Sequence, residues 1–235
     1  MRRKQLSDAP ASPGCDTPKR ENGAVPCKTP NPTLEAVLEH GGQTAQALRA
    51  LLERAGRGRA ALLTPLPHHD LGHRLRELAR QGHSHALLHY LPDAPLPPEE
   101  DLPRFRAVLL VDAPKEETAL PLLRRCEVAV VDRDDRASLP YRRCAPCPLF
   151  TYSERHAEAD LTAENTQFED RSLRFEAVMP GQIRRVFLPQ NGSLDLYHAL
   201  AALSGAVQLG LSLAESADAL SLPRFSSSQT DISVV

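Results

Sequence analysis

Apolar residues recur at helical spacing in two segments near the start of the patterned part of the chain. The apolar face of the first segment consists of Ala47, Leu48, Leu51, Leu52 and Ala55. Gly56 and Gly58 follow this segment and end the predicted helix. A second helix is predicted over residues 71–79, where leucines again fall on one face, and Gly82 ends it.

Short continuous apolar runs indicate strands that are buried on both faces. These runs are residues 60–63, 86–88, 107–111 and 128–131. Asp112 and Asp132 end the last two runs, and a helix is predicted between them at residues 116–125. Strands of this kind alternating with helices are typical of a parallel sheet covered on both sides. The predicted fold class is therefore α/β, with a mostly parallel sheet flanked by helices.

The pattern changes in the second half of the chain. Apolar and polar residues alternate over residues 173–177, Pro180-Gly181 supplies a turn, and the apolar pattern returns at residues 183–188. We therefore expect antiparallel hairpins within residues 148–189, as a small extension of the sheet. Helical spacing resumes from Leu194 to Leu220.

The two ends of the chain are polar. Residues 1–32 contain six prolines among Ser, Asp, Lys and Arg, with few branched apolar residues to bury. Such a segment cannot offset the entropy lost on ordering, so we predict a disordered leader. Residues 223–235 are predicted to form a polar tail, which leaves residues 33–222 as one domain.

Composition narrows the possible partners and the compartment. Lys and Arg total 28 and Asp and Glu total 30, so the formal charge of −2 gives no reason to expect nucleic acid or a membrane surface as a partner. The basic start is not followed by the apolar segment of a signal peptide, and no apolar segment is long enough to span a bilayer. We expect a cytoplasmic protein whose five cysteines are free thiols.

Short motifs occur in a fixed order over residues 34–222. They are Thr64-Pro65, Gly82–Leu88, Val130–Asp135, Asp160–Asn165, Asp195–Ala202 and Gly210–Glu215. Together they resemble the central, ATP-binding domain of the Mur ligases, which are ATP-dependent amide ligases of peptidoglycan synthesis. The resemblance is greatest to the branch that acts on UDP-N-acetylmuramoyl dipeptide. It implies ATP and Mg²⁺ as possible cofactors.

The family's glycine-rich phosphate loop falls on residues 39–44. In this loop Gln43 stands where the family has a lysine, and a neutral amide does not compensate phosphate charge. Backbone N–H groups at the predicted helix start can still accept an anion. The resemblance thus implies a candidate nucleotide site formed by Gly41, Gly42, Gln43, Thr44, Asp134 and His198. Thr44 would ligate magnesium, while Asp134 and His198 would face the ribose and the adenine.

Other positions depart from the family in the same direction. The family's magnesium-site glutamate falls on His89, and Lys115 aligns poorly with the family's carbamoylated lysine. The flanking domains that hold the UDP-sugar and the incoming amino acid have no counterpart in the chain. We therefore predict no catalytic residue and no bound cofactor, and favour a noncatalytic module that binds or regulates a protein of cell-wall synthesis. The alternative is an ATP-dependent amide ligase fragment that works with separately encoded domains.

Two further motifs have metal-ligand spacing. Cys144 and Cys147 form a C-x-x-C pair that Cys126 and His156 could complete as a zinc site, but no second C-x-x-C follows. Six histidines lie within residues 68–89, and no Glu or Cys completes a ligand set at local spacing. We favour incidental thiols and surface histidines, and predict no metal site. A small zinc-binding interaction protein remains a third hypothesis.

Overall fold

A computed structural model describes residues 30–64, 68–112, 114–169, 172–189 and 194–222. The predicted polar tail, and the predicted leader up to residue 29, lie outside the described residues. No helix within the described ranges is long and apolar enough to cross a membrane.

Within these described ranges, nine strands form a single sheet. The strands are β1 (Thr33–Leu38), β2 (Arg59–Leu63), β3 (His83–Tyr90), β4 (Phe105–Leu110), β5 (Cys126–Asp132), β6 (Leu149–Ser153), β7 (Leu161–Glu169), β8 (Ser172–Met179) and β9 (Gln182–Pro189). Their order across the sheet is β2-β3-β1-β4-β5-β6-β7-β8-β9. All pairings from β2 to β7 are parallel, and β7, β8 and β9 pair antiparallel. The predicted fold class is confirmed.

The described part of the chain contains six α-helices, which cover the two faces of this sheet. They are α1 (Gln43–Arg54), α2 (His68–Arg80), α3 (Glu116–Leu123), α4 (Leu139–Cys144), α5 (Leu196–Gln208) and α6 (Leu213–Ser221). Leu51 of α1, Leu203 of α5 and Leu220 of α6 share one buried apolar core. Leu78 of α2 and Leu122 of α3 belong to the core on the opposite face. Each face of the sheet therefore buries its own set of apolar side chains.

The hairpin prediction for residues 148–189 is wrong for its first strand. β6 pairs parallel to β5 over Leu149 to Tyr152, and only its last two residues contact β7, again in parallel. The alternating pattern of β6 resembles that of a half-exposed hairpin strand. β6 belongs to the parallel sheet because it pairs with β5. The periodicity of a short segment does not show which strand it pairs with.

Helix ends also differ from the predicted ones. The helix predicted over residues 116–125 ends at Leu123, and the guanidinium of Arg125 donates to the carbonyl oxygen of Glu99 at 2.9 Å. The helical pattern from residue 194 to 220 consists of two helices. Gly210 separates them with a φ of +93°, and Ser212 begins α6 with a capping box to Glu215.

Candidate functional site at the start of α1

The loop between β1 and α1 lies at the carboxyl edge of the parallel strands. β1 is flanked by β3 and β4, and the Glu39 N–H donates to the carbonyl oxygen of Tyr90 at 3.2 Å. On the other side, the Val111 N–H donates to the carbonyl oxygen of Leu38 at 3.1 Å. Ligands of open α/β sheets bind at this edge, so the loop lies where the sequence motifs predict a site.

A glycine sets the geometry of the helix start. Gly42 precedes α1 with a φ of +75°, a left-handed conformation that glycine adopts without steric cost. Its carbonyl oxygen accepts the N–H of Gln46 at 3.1 Å, which begins the helical hydrogen-bond pattern. The predicted loop, Gly41 to Thr44, thus leads into the N-terminus of α1, where the first N–H groups have no acceptor within the helix.

The first helical N–H groups bind a carboxylate of the chain itself. The Glu39 side chain is fully buried, and its Oε2 accepts the N–H of Thr44 at 2.9 Å. Its Oε1 accepts the N–H of Ala45 at 2.7 Å. A negative group at a helix N-terminus is stabilised by these donors and by the helix dipole, as a phosphate would be. The motifs of the sequence do not single out Glu39 as a site residue, although an acid two residues before the Gly41-Gly42 pair is a signal for it.

Gln43 and Thr44 fill the rest of the loop. A Cβ atom built on Gly41 would lie 2.0 Å from the Gln43 Oε1, so the Gln43 amide packs directly over the loop. Among the described residues, neither the Gln43 Oε1 nor the Thr44 Oγ1 has a hydrogen-bond partner, and both atoms are buried. Unpaired buried polar atoms cost free energy, which marks these two positions as unusual.

His198 is far from this loop in the sequence, and it is a predicted site residue that the structure brings close to it. Its Nε2 lies 4.0 Å from the Glu39 Oε2, and its Nδ1 is 2.6 Å from the Asp195 Oδ1. The hydrogen bond to Asp195 raises the pKa of His198, although burial opposes this shift. Asp195 also accepts the His198 N–H at 3.0 Å as the N-cap of α5. The start of α5 therefore faces the start of α1.

Asp134 has a different set of partners. Its Oδ1 accepts the Ser153 hydroxyl at 2.6 Å, and its Oδ2 accepts the Glu154 N–H at 2.7 Å. These bonds connect the ends of β5 and β6. Across the described residues, no hydrogen bond or ion pair joins Asp134 to the start of α1, so its assignment to a ribose contact stays a prediction.

His89 and Lys115 stand at or near the positions where the family has its magnesium-site glutamate and its carbamoylated lysine. The His89 ring N–H donates to the carbonyl oxygen of Glu39 at 2.9 Å, which connects β3 to the loop before α1. Lys115, the only lysine within the described ranges, is the residue that precedes α3. Across the described residues, no hydrogen bond or ion pair joins Lys115 to the loop before α1.

The cofactor that the resemblance implies is ATP with magnesium. The residues of this loop do not fit a triphosphate in the observed arrangement, because the Glu39 carboxylate takes two of the N–H donors and repels a second anion. Gln43 adds no charge, and its amide covers Gly41.

The cysteines and histidines of the predicted metal motifs are dispersed. The Sγ atoms of Cys126 and Cys147 are 3.4 Å apart, and Cys144 is exposed. His156 is paired elsewhere, with its Nε2 3.8 Å from the Asp134 Oδ1. His85 hydrogen-bonds Glu35 at 3.0 Å inside the sheet. No group of three or more potential ligands occurs within the part of the chain that the structure describes.

A groove of about 590 Å³ lies on the outer face of the antiparallel extension, away from α1. Its polar lining is paired internally, since Glu176 accepts from Asn165 at 2.6 Å and from Arg185 at 3.1 Å. Arg174 lies over the ring of Phe187 at 5.3 Å.

Comparison with known proteins connects this geometry to one fold. No family model matches the chain. Over 97 residues it is 29% identical to the UDP-N-acetylmuramoyl-L-alanyl-D-glutamate–2,6-diaminopimelate ligase of Geobacillus thermodenitrificans, covering 41% of this chain and 20% of that protein. A solved structure of a ligase with the same name matches with a TM-score of 0.64 at 21% identity, covering 82% of this chain and 46% of the other. MurF from Acinetobacter baumannii matches with a TM-score of 0.63 at 18% identity, covering 81% and 45%.

The chain spans less than half the length of these two structures and about a fifth of the curated relative. Within that span, the parallel sheet, the antiparallel extension and the loop before α1 occur in the order that the sequence motifs predict. The predicted resemblance is confirmed at the level of architecture: this chain has the Mur ligase central-domain fold.

Proposed function

We propose that this chain is a Mur ligase-like module of cell-wall synthesis that does not carry out ATP-dependent ligation and instead binds or regulates a protein partner. One observation carries the proposal. The buried Glu39 carboxylate accepts the N–H groups of Thr44 and Ala45, which are the donors expected to bind a nucleotide phosphate.

The electrostatics of the loop support this proposal. Phosphoryl transfer depends on positioning and on neutralising phosphate charge, and the loss of one cationic group typically costs about 10³–10⁵ in rate. Here Gln43 replaces the expected lysine, and Glu39 adds a negative charge at the same helix end. Both differences oppose a bound triphosphate. The link to cell-wall synthesis comes from the ligases that the chain resembles.

Calorimetric titration of the full chain with ATP, with and without magnesium, tests the proposal. We expect no binding tighter than a Kd of about 1 mM, since the donors are occupied and no cation replaces the lysine. Micromolar, magnesium-dependent binding that disappears in a Thr44→Val variant would overturn it.

A pair of variants tests whether Glu39 is the blocking group. Glu39→Ala releases the two N–H donors, and we expect it to bind inorganic phosphate about ten-fold more tightly than the natural sequence does, since an anion then replaces the carboxylate. Glu158→Ala, which removes an exposed carboxylate in a loose 3.7 Å ion pair with Arg133, is the matched control and leaves phosphate binding unchanged. Equal phosphate binding by both variants contradicts the role of Glu39. Thermal melts followed by circular dichroism establish that each variant is folded.

One observation favours the alternative, an amide ligase fragment that acts with separately encoded domains. The Thr44 hydroxyl is buried without a partner among the described residues, at the position to which the resemblance assigns a magnesium ligand. The same calorimetry separates the two functions, because the fragment requires magnesium-dependent ATP binding that depends on Thr44.

A further inference from the structure

Two thiols meet at the edge of the sheet opposite the α1 loop. Cys126 begins β5, and Cys147 lies two residues before β6, the parallel neighbour of β5. Their Sγ atoms are 3.4 Å apart, and both side chains are partly buried. The two sulfurs are thus held together by adjacent strands although they are far apart in the sequence.

We infer that Cys126 and Cys147 form a reversible disulfide on exposure to a peroxide, which makes this pair an oxidation site of the protein. A disulfide requires the two sulfurs to approach to about 2.05 Å, a closure of roughly 1.4 Å from the observed separation. The inference requires this closure from side chains at the start of β5 and in the loop before β6. The inference is independent of the proposed function, since it uses no residue of the α1 loop.

The surroundings assign different roles to the two thiols. The Cys126 Sγ donates toward Cys147 and also lies 3.5 Å from the carbonyl oxygen of Leu123. The hydrogen bond from Cys126, together with backbone N–H groups, lowers the pKa of Cys147. The same interaction, followed by burial, raises the pKa of Cys126. The lowered pKa favours the thiolate form of Cys147 more than that of Cys126, so the inference assigns Cys147 as the first thiol to react and Cys126 as the thiol that resolves the product.

The reaction balances with hydrogen peroxide as the oxidant. The Cys147 thiolate attacks one peroxide oxygen, which forms a sulfenic acid and releases hydroxide. The Cys126 sulfur then attacks the Cys147 sulfur, so that the S–S bond forms and the S–O bond breaks. The Cys126 proton leaves with the hydroxyl group as water. The hydroxide of the first step takes up the proton that Cys147 lost on ionising, so that overall two thiols and one hydrogen peroxide give one disulfide and two waters.

Peptide mapping of the full chain tests the site, in a Cys15→Ser and Cys27→Ser background that limits exchange with the other thiols. After peroxide treatment and alkylation, trypsin releases residues 126–133 and residues 144–155 as separate peptides. We expect these to be joined through Cys126 and Cys147, and to separate after treatment with dithiothreitol. The Cys144→Ser variant is the matched control and keeps the link.

A second measurement does not depend on mapping. The disulfide closes a loop that contains α4, so the oxidised chain should melt about 5 °C higher than the reduced chain. The Cys126→Ser variant should lose this shift, and its Cys147 should be trapped by a sulfenic-acid reagent such as dimedone. Peroxide treatment that leaves Cys126 reduced, or that joins Cys144 to Cys147 instead, overturns the inference.

Discussion

Buried carboxylates have three different environments in the sheet. Glu35 pairs with His85, Glu39 binds the first N–H groups of α1, and Asp132 lies at the end of β5. The Asp132 Oδ1 accepts the Asp134 N–H at 2.8 Å, but burial raises the pKa of Asp132 to about 6. At neutral pH, ionised Asp132 is therefore less favourable in the folded chain than in the unfolded chain.

This shift predicts a pH-dependent effect of Asp132→Asn. The unfolded carboxyl ionises near pH 3.8 and the folded one near pH 6, so the stability it contributes is present below pH 3.8 and is lost as the pH rises through 6. We expect the variant to be more stable than the natural sequence by about 2 kcal/mol at pH 8, with the difference vanishing toward pH 4. Urea unfolding at both pH values measures this. Asp101→Asn, an exposed site, is the control, and a gain independent of pH contradicts the argument.

At the scale of elements, a glycine in α5 allows this helix to pack closely against both α1 and the sheet. A Cβ on Gly205 would lie 2.8 Å from the Leu109 Cδ2 and 3.3 Å from the Leu48 Cδ2. Both leucines are fully buried, so neither side chain can move without disturbing the core. The absence of a side chain at Gly205 thus sets how closely α5 approaches its neighbours, and places His198 near Glu39.

Two glycine substitutions separate packing from helix propensity. Gly205→Ala and Gly72→Ala both lie inside helices, where alanine is intrinsically favoured by about 1 kcal/mol. Among the described residues, no atom outside the backbone of α2 lies within 4 Å of a Cβ built on Gly72, so we expect that variant to gain about 0.5–1 kcal/mol. Gly205→Ala should instead lose about 1 kcal/mol or more through overpacking. Chemical denaturation measures both changes, and a stabilised Gly205→Ala chain would show that the core yields freely.

At the scale of the whole molecule, one sheet serves two cores. The strands contribute alternate side chains to each face, as Leu109 and Leu110 of β4 do. Loss of one face exposes the strand residues that support the other. The two faces are therefore expected to unfold together, although different helices cover them.

Tyrosine fluorescence can follow both faces at once. The chain has four tyrosines and no tryptophan. Tyr90 and Tyr141 belong to one core, while Tyr152 belongs to the other and Tyr197 packs against it. We expect the fluorescence transition and the far-ultraviolet circular dichroism transition to coincide in urea. Two separated transitions would show that the faces are independent. Tyr141→Phe and Tyr152→Phe variants then identify which face unfolds first.

The sequence predicted the elements whose apolar pattern is continuous and missed those whose pattern is interrupted. The runs at β4 and β5 and the helix at α1 were identified, since buried apolar residues recur there at the spacing of the element. β1 was not identified, because Glu35 within the strand and Glu39 directly after it make this part of the sequence look polar. Both charged residues are buried in the folded chain, Glu35 within the strand that pairs with β3 and Glu39 directly after it.

The candidate site, too, was predicted only in part from the sequence. Sequence motifs located the loop before α1 and the replacement of a lysine by Gln43, and they associated His198 with that loop. They could not show that Glu39 turns back onto the helix N–H groups, or that Asp134 bonds to Ser153 and Glu154. These contacts depend on where separate strands end in space.

The sequence by itself determined the α/β class, the order of the elements with a continuous apolar pattern and the family whose central domain this chain resembles, because periodicity and motif order are properties of the chain in one dimension. Tertiary structure alone decided which groups meet. It paired Glu39 with the start of α1 and Cys126 with Cys147, because burial and hydrogen bonding act between residues that the sheet, and not the sequence, makes neighbours.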